Sequence, residues 1–186
     1  MKIQDIPNEI VREVLTEEQI ENKLDEIAKQ IDKDYEGKEL LLIGVLGGAV
    51  MCMADLSRRI SSPLEIDWIA ISTYGQGTTS TGVIRILKDL YTDIKNRHVL
   101  IVEDILDSGL TLSWLKSNLT SRGPASVEIF TLLQKPDARK IEVEAKYVGF
   151  DIPNEFVIGY GLDYAQKYRN LRSIAVLHPD VYTQKS

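Results

Sequence analysis

The stretch that most constrains this chain is residues 99–111, VLIVEDILDSGLT, which passes from a branched apolar run through an adjacent acidic pair into a small-residue loop and a helical pattern. The apolar run at 99–102 is short and rich in branched residues, as a buried strand of a parallel sheet is. Backbone N–H groups of Ser108 to Thr111 at the start of a helix, with the hydroxyls of Ser108 and Thr111, predict an anion nest favoured by the helix dipole. Glu103 and Asp104 lie one strand terminus away, where their carboxylates suit sugar hydroxyls or a magnesium ion. A phosphorylated sugar satisfies both halves. A plainer reading of the same residues is that the acidic pair ends a strand and that Asp107 or Ser108 caps the next helix. On the residues alone, both readings stand.

The rest of the chain predicts a scaffold for such a turn. Thr16, Glu17, Glu18 and Gln19 form a capping-box pattern, and Ile20, Leu24, Ile27 and Ile31 then recur at helical spacing, which predicts an amphipathic first helix. Apolar runs at 40–46, 127–133 and 156–158 read as buried strands, and 64–72 as a further strand. Residues 48–60 and 111–122 read as helices between them, so the fold class is α/β with a largely parallel sheet. Ligands in such sheets gather beyond the carboxyl ends of the strands. Residues 74–82, YGQGTTSTG, offer no core face and read as a mobile loop or a long hairpin connection. At 186 residues with 44% hydrophobic content, the chain is expected to form a single domain, residues 1–186.

Charge and rare residues exclude several functions. A net charge of -6 and a pI near 5.0 give no general attraction to nucleic acid or an anionic membrane, so any phosphate site must be local. The N-terminal residues have no long apolar core behind a basic head, and no stretch is long enough to span a bilayer, which predicts a cytoplasmic protein. Cys52, the single cysteine, excludes an internal disulfide and a multi-thiolate metal site, and reads as a small buried hydrophobe. His98 and His178 flank strands and give little support to a catalytic pair or a zinc site. Trp68 and Trp114 read as packing residues, Arg58 and Arg59 as the end of a helix, and Arg85 and Lys88 carry no assigned role.

Residues 99–111 resemble the phosphoribosyl pyrophosphate signature of type I phosphoribosyltransferases, and in detail that of the hypoxanthine-guanine phosphoribosyltransferase family. The likeness extends in order to Leu46-Gly47-Gly48, Ser72-Thr73-Tyr74-Gly75, Leu133-Gln134-Lys135 and the segment from Glu155 to Tyr164, covering about residues 5–178. It implies the type I fold, with a small hood subdomain and a flexible active-site loop at 74–82 that closes over the site. It also implies a glycosyltransferase of purine salvage, a pentosyltransferase. Such an enzyme moves the 5-phosphoribosyl group from phosphoribosyl pyrophosphate to hypoxanthine or guanine, giving IMP or GMP and pyrophosphate, with Mg2+. The resemblance suggests a homodimer or homotetramer.

Residue by residue, the resemblance gives Glu103 and Asp104 to the ribose hydroxyls and the neighbouring magnesium, and Asp107, Ser108, Gly109, Leu110 and Thr111 to the 5'-phosphate. Asp107 matches the acid that exchanges a proton with purine N7. Lys135 matches the donor to O6, Phe156 the aromatic that stacks on the base, and Val157 the backbone contact to its edge. Asp163, beside Leu162, resembles a magnesium-water ligand, and Arg169 the arginine that meets pyrophosphate. Leu46, Gly47 and Gly48 match the pyrophosphate loop, in which the family's peptide can be cis, and Leu162, Thr73 and Tyr74, the last opening the flexible loop, are also counted among the substrate-binding residues. Taken singly, Lys135 reads as solvated, Phe156 as core and Arg169 as surface; the joint spacing is what raises them.

One position departs from the pattern: Gly47 stands where many members place a lysine or arginine, which puts the strength of pyrophosphate binding in doubt. Three rivals remain at this level. A relative acting on adenine, xanthine or a pyrimidine would differ at the Lys135 and Phe156 pair. A non-catalytic regulator on the same fold predicts a basic surface and often an added nucleic-acid-binding domain. A receiver domain would carry its acidic pair on the first strand, whereas residues 1–98 precede it here.

Overall fold

The computed structural model describes residues 1–74 and 83–183, so the expected loop at 74–82 lies, beyond Tyr74, outside the described residues. The chain enters through β1 (Ile10–Leu15) and turns at Thr16 into α1 (Glu17–Asp34). The capping box forms as its residues predict: the Thr16 hydroxyl accepts from the Gln19 N–H at 3.2 Å, and the Gln19 carboxamide oxygen accepts from the Thr16 N–H at 2.9 Å. The helix then buries Ile20, Leu24, Ile27, Ala28 and Ile31, its one apolar stripe. Burying each larger aliphatic side chain is worth about 1.5–3 kcal/mol against the exposed chain, so packing rather than propensity holds this helix.

Beyond α1 come β2 (Leu40–Leu46), α2 (Val50–Ser57), β3 (Glu65–Tyr74), β4 (Val83–Lys88), β5 (His98–Leu106), α3 (Leu110–Thr120), β6 (Ser126–Gln134) and β7 (Tyr147–Asp151). These strands form one sheet in the order β4-β3-β2-β5-β6-β7, parallel except where β4 returns against β3. Alternate residues of the central strands serve two cores. Leu40, Leu42, Leu100 and Val102 pack with Ile20, Leu24, Cys52 and Met53 of α1 and α2. Leu41, Ile43, Val99 and Ile101 pack with Leu112, Leu115 and Leu119 of α3. Because α2 and α3 cover opposite faces, the winding reverses between β2 and β5, and a crevice opens at their carboxyl ends.

A second sheet, antiparallel, joins β1, β9 (Ile174–Leu177) and β8 (Val157–Ile158), and α4 (Pro179–Thr183) follows it. The expected strand at 156–158 therefore belongs here and not to the parallel sheet. The strand expected at 99–102 runs on to Leu106, because β6 continues beside it and pairs Glu103 with Thr131, Ile105 with Leu133 and Leu106 with Gln134. The acidic pair thus sits inside the strand rather than past its end. Helix α2 starts at Val50, after a turn at Gly48 and Ala49, and ends where Arg58 Nε donates to Ala54 O at 3.1 Å and Arg59 Nη1 to Asp55 O at 3.1 Å. Trp68 and Trp114 pack against the two cores as expected. No helix among the described residues is long and apolar enough to cross a membrane.

Candidate active site

Two glycine-dependent approaches bring the chemistry to one point. A Cβ on Gly48 would stand 1.7 Å from Asp104 Oδ2 and 2.6 Å from its Cγ, so only glycine lets the turn after β2 share space with that carboxylate. Gly161, with φ +102°, passes so close to Gly48 that a Cβ there would stand 2.0 Å from the Gly48 carbonyl oxygen. Residues 46–49, 103–107 and 159–163 are thereby held against one another. The Leu46–Gly47 peptide is cis, as the resemblance allowed.

The convergence walls a cleft of about 360 Å3, lined by Leu46, Gly47, Gly48, Glu103, Asp104, Asp107, Lys135, Phe156, Val157, Leu162, Asp163 and Arg169, with Val45 and Ile105. Asp104 is only 7% exposed and accepts from the Ile105 N–H at 2.8 Å. Glu103 Oε2 is buried with no partner. Burial first, and for Glu103 the neighbouring Asp104 charge second, push both carboxyls above the usual carboxylate range. A buried polar oxygen without a partner is costly in a folded chain, so Glu103 Oε2 marks the cleft wall as a place where a polar group can bind.

The loop expected to form an anion nest lies next to the acids. Gly109 is the N-cap of α3 at φ 84° and has no side chain to cap with; the Ser108 hydroxyl accepts from the Leu110 N–H at 3.4 Å, so Ser108 supplies part of the capping that the plainer reading expected and Asp107 supplies none. The Ser108 carbonyl accepts from the Lys140 and Ile141 N–H groups at 3.0 and 3.1 Å, and a Cβ on Gly109 would meet Ile141 O at 2.4 Å. A hollow of about 120 Å3 follows, lined by Glu103, Asp107, Ser108, Gly109 and Thr111 among others. Leu110 opens the helix and lines neither space.

On the opposite wall, Lys135 follows the last residue of β6 and is 7% exposed. Its Nζ lies 3.8 Å from Asp107 Oδ2, beyond hydrogen-bond range, and among the described residues it makes no hydrogen bond. Phe156 is 42% exposed, its carbonyl held by the Leu177 N–H at 3.1 Å. Arg169 donates to Gly161 O at 2.7 Å and Gln166 Oε1 at 3.1 Å, and pairs with Asp163 Oδ1 at 2.9 Å. Asp163 Oδ2 also accepts from the Gln166 N–H at 2.8 Å. The guanidinium lies 3.9 Å from where a Cβ on residue 47 would stand, so Arg169 faces the space left by the absent cation.

Thr73 and Tyr74 close β3, paired through their backbones with Ile84 and Val83. Residues that the sequence reading left out are Val45, Ile105 and Tyr160. Tyr160 stands in the left-handed region at φ 49° and donates from its hydroxyl to Asp55 Oδ2 at 2.6 Å, tying the segment of Asp163 and Arg169 to α2. A tyrosine between two glycines was the available signal. A larger hollow of about 550 Å3, lined by Ser113, Lys116, Ser117 and Thr120, runs along α3 and not at the strand ends.

Residues 11–165 match the phosphoribosyl transferase domain family. The hypoxanthine-guanine phosphoribosyltransferase of Mycobacterium tuberculosis is 54% identical over 182 residues, spanning 95% of this chain and 90% of its own. The Staphylococcus aureus protein of the same name is 51% identical over 176 residues, spanning 95% and 98%. The crystal structure of a hypoxanthine phosphoribosyltransferase from Staphylococcus aureus superposes with a TM-score of 0.93 at 50% identity, covering 96% of this chain and 97% of its own.

Proposed function

Since the chain belongs to the phosphoribosyl transferase family, we propose that it is a hypoxanthine-guanine phosphoribosyltransferase of purine salvage, which transfers the 5-phosphoribosyl group from phosphoribosyl pyrophosphate to hypoxanthine or guanine. The observation that carries this reading is one cleft with three kinds of wall: the acidic pair beside the start of α3, the Lys135 and Phe156 wall, and the 46–49 turn with Asp163 and Arg169. These suit, in turn, a ribose 5-phosphate, a 6-oxopurine and a pyrophosphate.

The ribose 2'- and 3'-hydroxyls donate to Glu103 and Asp104, giving Glu103 Oε2 a partner. The 5'-phosphate rests on the N–H groups of residues 108–111 and on the hydroxyls of Ser108 and Thr111. Lys135 donates to purine O6, Phe156 lies on the ring, and Val157 meets its edge through the backbone. Asp107 accepts the N7 proton as the glycosidic bond forms and returns it in the reverse direction. Leaving pyrophosphate draws Arg169 away from Asp163 and accepts from backbone donors of the 46–49 turn, with Arg169 standing in for a cation at residue 47.

Among the described residues no cluster of three or more histidine, cysteine or acidic side chains could hold a metal alone. The carboxylates of Asp163, Glu103 and Asp104 line the cleft and are oxygen donors of the kind that would hold a magnesium ion accompanying the diphosphate. When bound, such an ion would supply charge neutralisation for pyrophosphate. Neither remaining rival matches the architecture: the acidic pair is on a central strand that follows four others, and the chain carries a net charge of -6.

Leu46, Val50 and Met51, apolar and exposed at the pyrophosphate turn, suit contact with a second copy in a homodimer or homotetramer of the cytoplasm. The functional test is a spectrophotometric screen of hypoxanthine, guanine, xanthine, adenine and uracil with phosphoribosyl pyrophosphate and magnesium. Product is expected with hypoxanthine and guanine. No product from any purine at neutral pH refutes the assignment.

A further inference from the structure

Phe156 stands in a cluster of aromatic rings at the edge of the cleft. The Tyr182 ring lies 5.1 Å from it at 39°, Tyr164 meets it edge-on at 6.0 Å and 86°, and the two tyrosines stand 6.3 Å apart, closing a triangle of rings. Phe156 lines the cleft, and neither tyrosine does. The backbone of Phe156 is fixed through Leu177, but the residue lies just outside β8 and is 42% exposed, so its ring orientation depends on its aromatic neighbours. Tyr182 comes from α4, which is seated by Val181 and Tyr182 against Ile158, Leu171, Ala175 and Leu177.

We propose that Tyr182 is a positioning residue for the base: it packs against Phe156 so that the phenyl ring is already set for stacking when the purine enters. This rests on the reading of Phe156 as the stacking residue. Tyr164 contributes to the same triangle, but it follows Asp163 directly, so its replacement would also disturb the pyrophosphate side. Tyr182 meets Phe156 at the shorter ring distance, 5.1 Å against 6.3 Å to Tyr164, so its influence falls first on the base. An ordered stacking platform lowers the ordering cost on binding, which is expressed in base affinity rather than in the chemical step.

The test measures steady-state kinetics for Tyr182→Ala and Tyr182→Phe, varying hypoxanthine and phosphoribosyl pyrophosphate in turn. Removing one aromatic partner is expected to raise the hypoxanthine KM by about 2- to 12-fold. The KM for phosphoribosyl pyrophosphate and kcat should stay within about twofold, and Tyr182→Phe, which keeps the ring, should restore the parent value. Equal rises in both KM values, or an unchanged hypoxanthine KM in Tyr182→Ala, overturn the proposal. Phe156→Ala separates the two levels of the argument. If it leaves the hypoxanthine KM unchanged, the base-site reading fails; if it raises that KM while Tyr182→Ala does not, only the role of Tyr182 fails.

Discussion

Replacing Lys135 with glutamine isolates the group that reads the 6-position of the purine. The lysine side chain is 9% exposed, its ammonium stands 3.8 Å from Asp107 Oδ2, and it makes no hydrogen bond among the described residues. Apart from the ion pair with Asp107 its N–H donors have no hydrogen-bond acceptor among the described residues, which leaves them for an acceptor on the base. Hypoxanthine and guanine present O6, an acceptor, whereas adenine presents an amino donor that an ammonium cannot match. A hydrogen bond to a charged group contributes about 1.5–3 kcal/mol, which corresponds to about 10- to 150-fold in kcat/KM. Glutamine keeps a donor for O6 but loses the charge, and adds a carbonyl that can accept from the adenine amino group. Lys135→Gln should thus lower kcat/KM for hypoxanthine and guanine by that factor while adenine falls far less, compressing the preference by about tenfold or more. The assay compares initial rates for the three bases in both proteins at saturating phosphoribosyl pyrophosphate. Since the lysine has no hydrogen bond to lose, the melting temperature should move by only about 2–4 °C, equivalent to about 1 kcal/mol. An unchanged base ratio in a folded variant refutes the assignment of Lys135 to the 6-position.

Asp107→Asn should lower kcat by about 100-fold or more with a smaller effect on KM, since asparagine keeps the loop but cannot take the N7 proton; near-parent turnover would reduce Asp107 to a loop residue. Gly48→Ala should reduce activity by about 100-fold, because a Cβ lying 1.7 Å from Asp104 Oδ2 must displace the acidic pair; a fully active alanine variant would contradict that packing. Glu103→Gln should stabilise the free protein at alkaline pH while weakening phosphoribosyl pyrophosphate binding. With its carboxyl raised by burial and by Asp104, the folded state binds a proton more tightly than the unfolded chain, so stability falls as pH rises from about 4 toward the folded value. Thermal melts between about pH 5 and pH 8 should show a flatter decline in the variant, and parallel curves would refute the sign.

Patterns spanning a few residues were legible in the sequence because local physics fixes them. The capping box at Thr16 with the stripe Ile20, Leu24, Ile27 and Ile31 specifies α1, and the branched runs with intervening helical periods specify the parallel core. The order acidic pair, small-residue loop, helix placed Glu103, Asp104 and the loop before α3, although the strand proved longer because its partner β6 continues to pair. Lys135, Phe156, Asp163 and Arg169 could be named by resemblance, but nothing local indicates that they face one another.

Tertiary structure alone decided the contacts between distant segments. The second sheet joins residues from both ends of the chain, and its two-residue β8 and four-residue β9 are too short to show a period of their own. Side-chain patterns do not state which distant strand will pair, since that depends on register and on what else fills the space. The same holds for Gly48 against Asp104, for Arg169 facing the gap at Gly47, and for Tyr182 beside Phe156. Each is a contact made when separately specified elements pack, so the sequence determined the parts and the kind of chemistry they carry, and packing determined which groups meet.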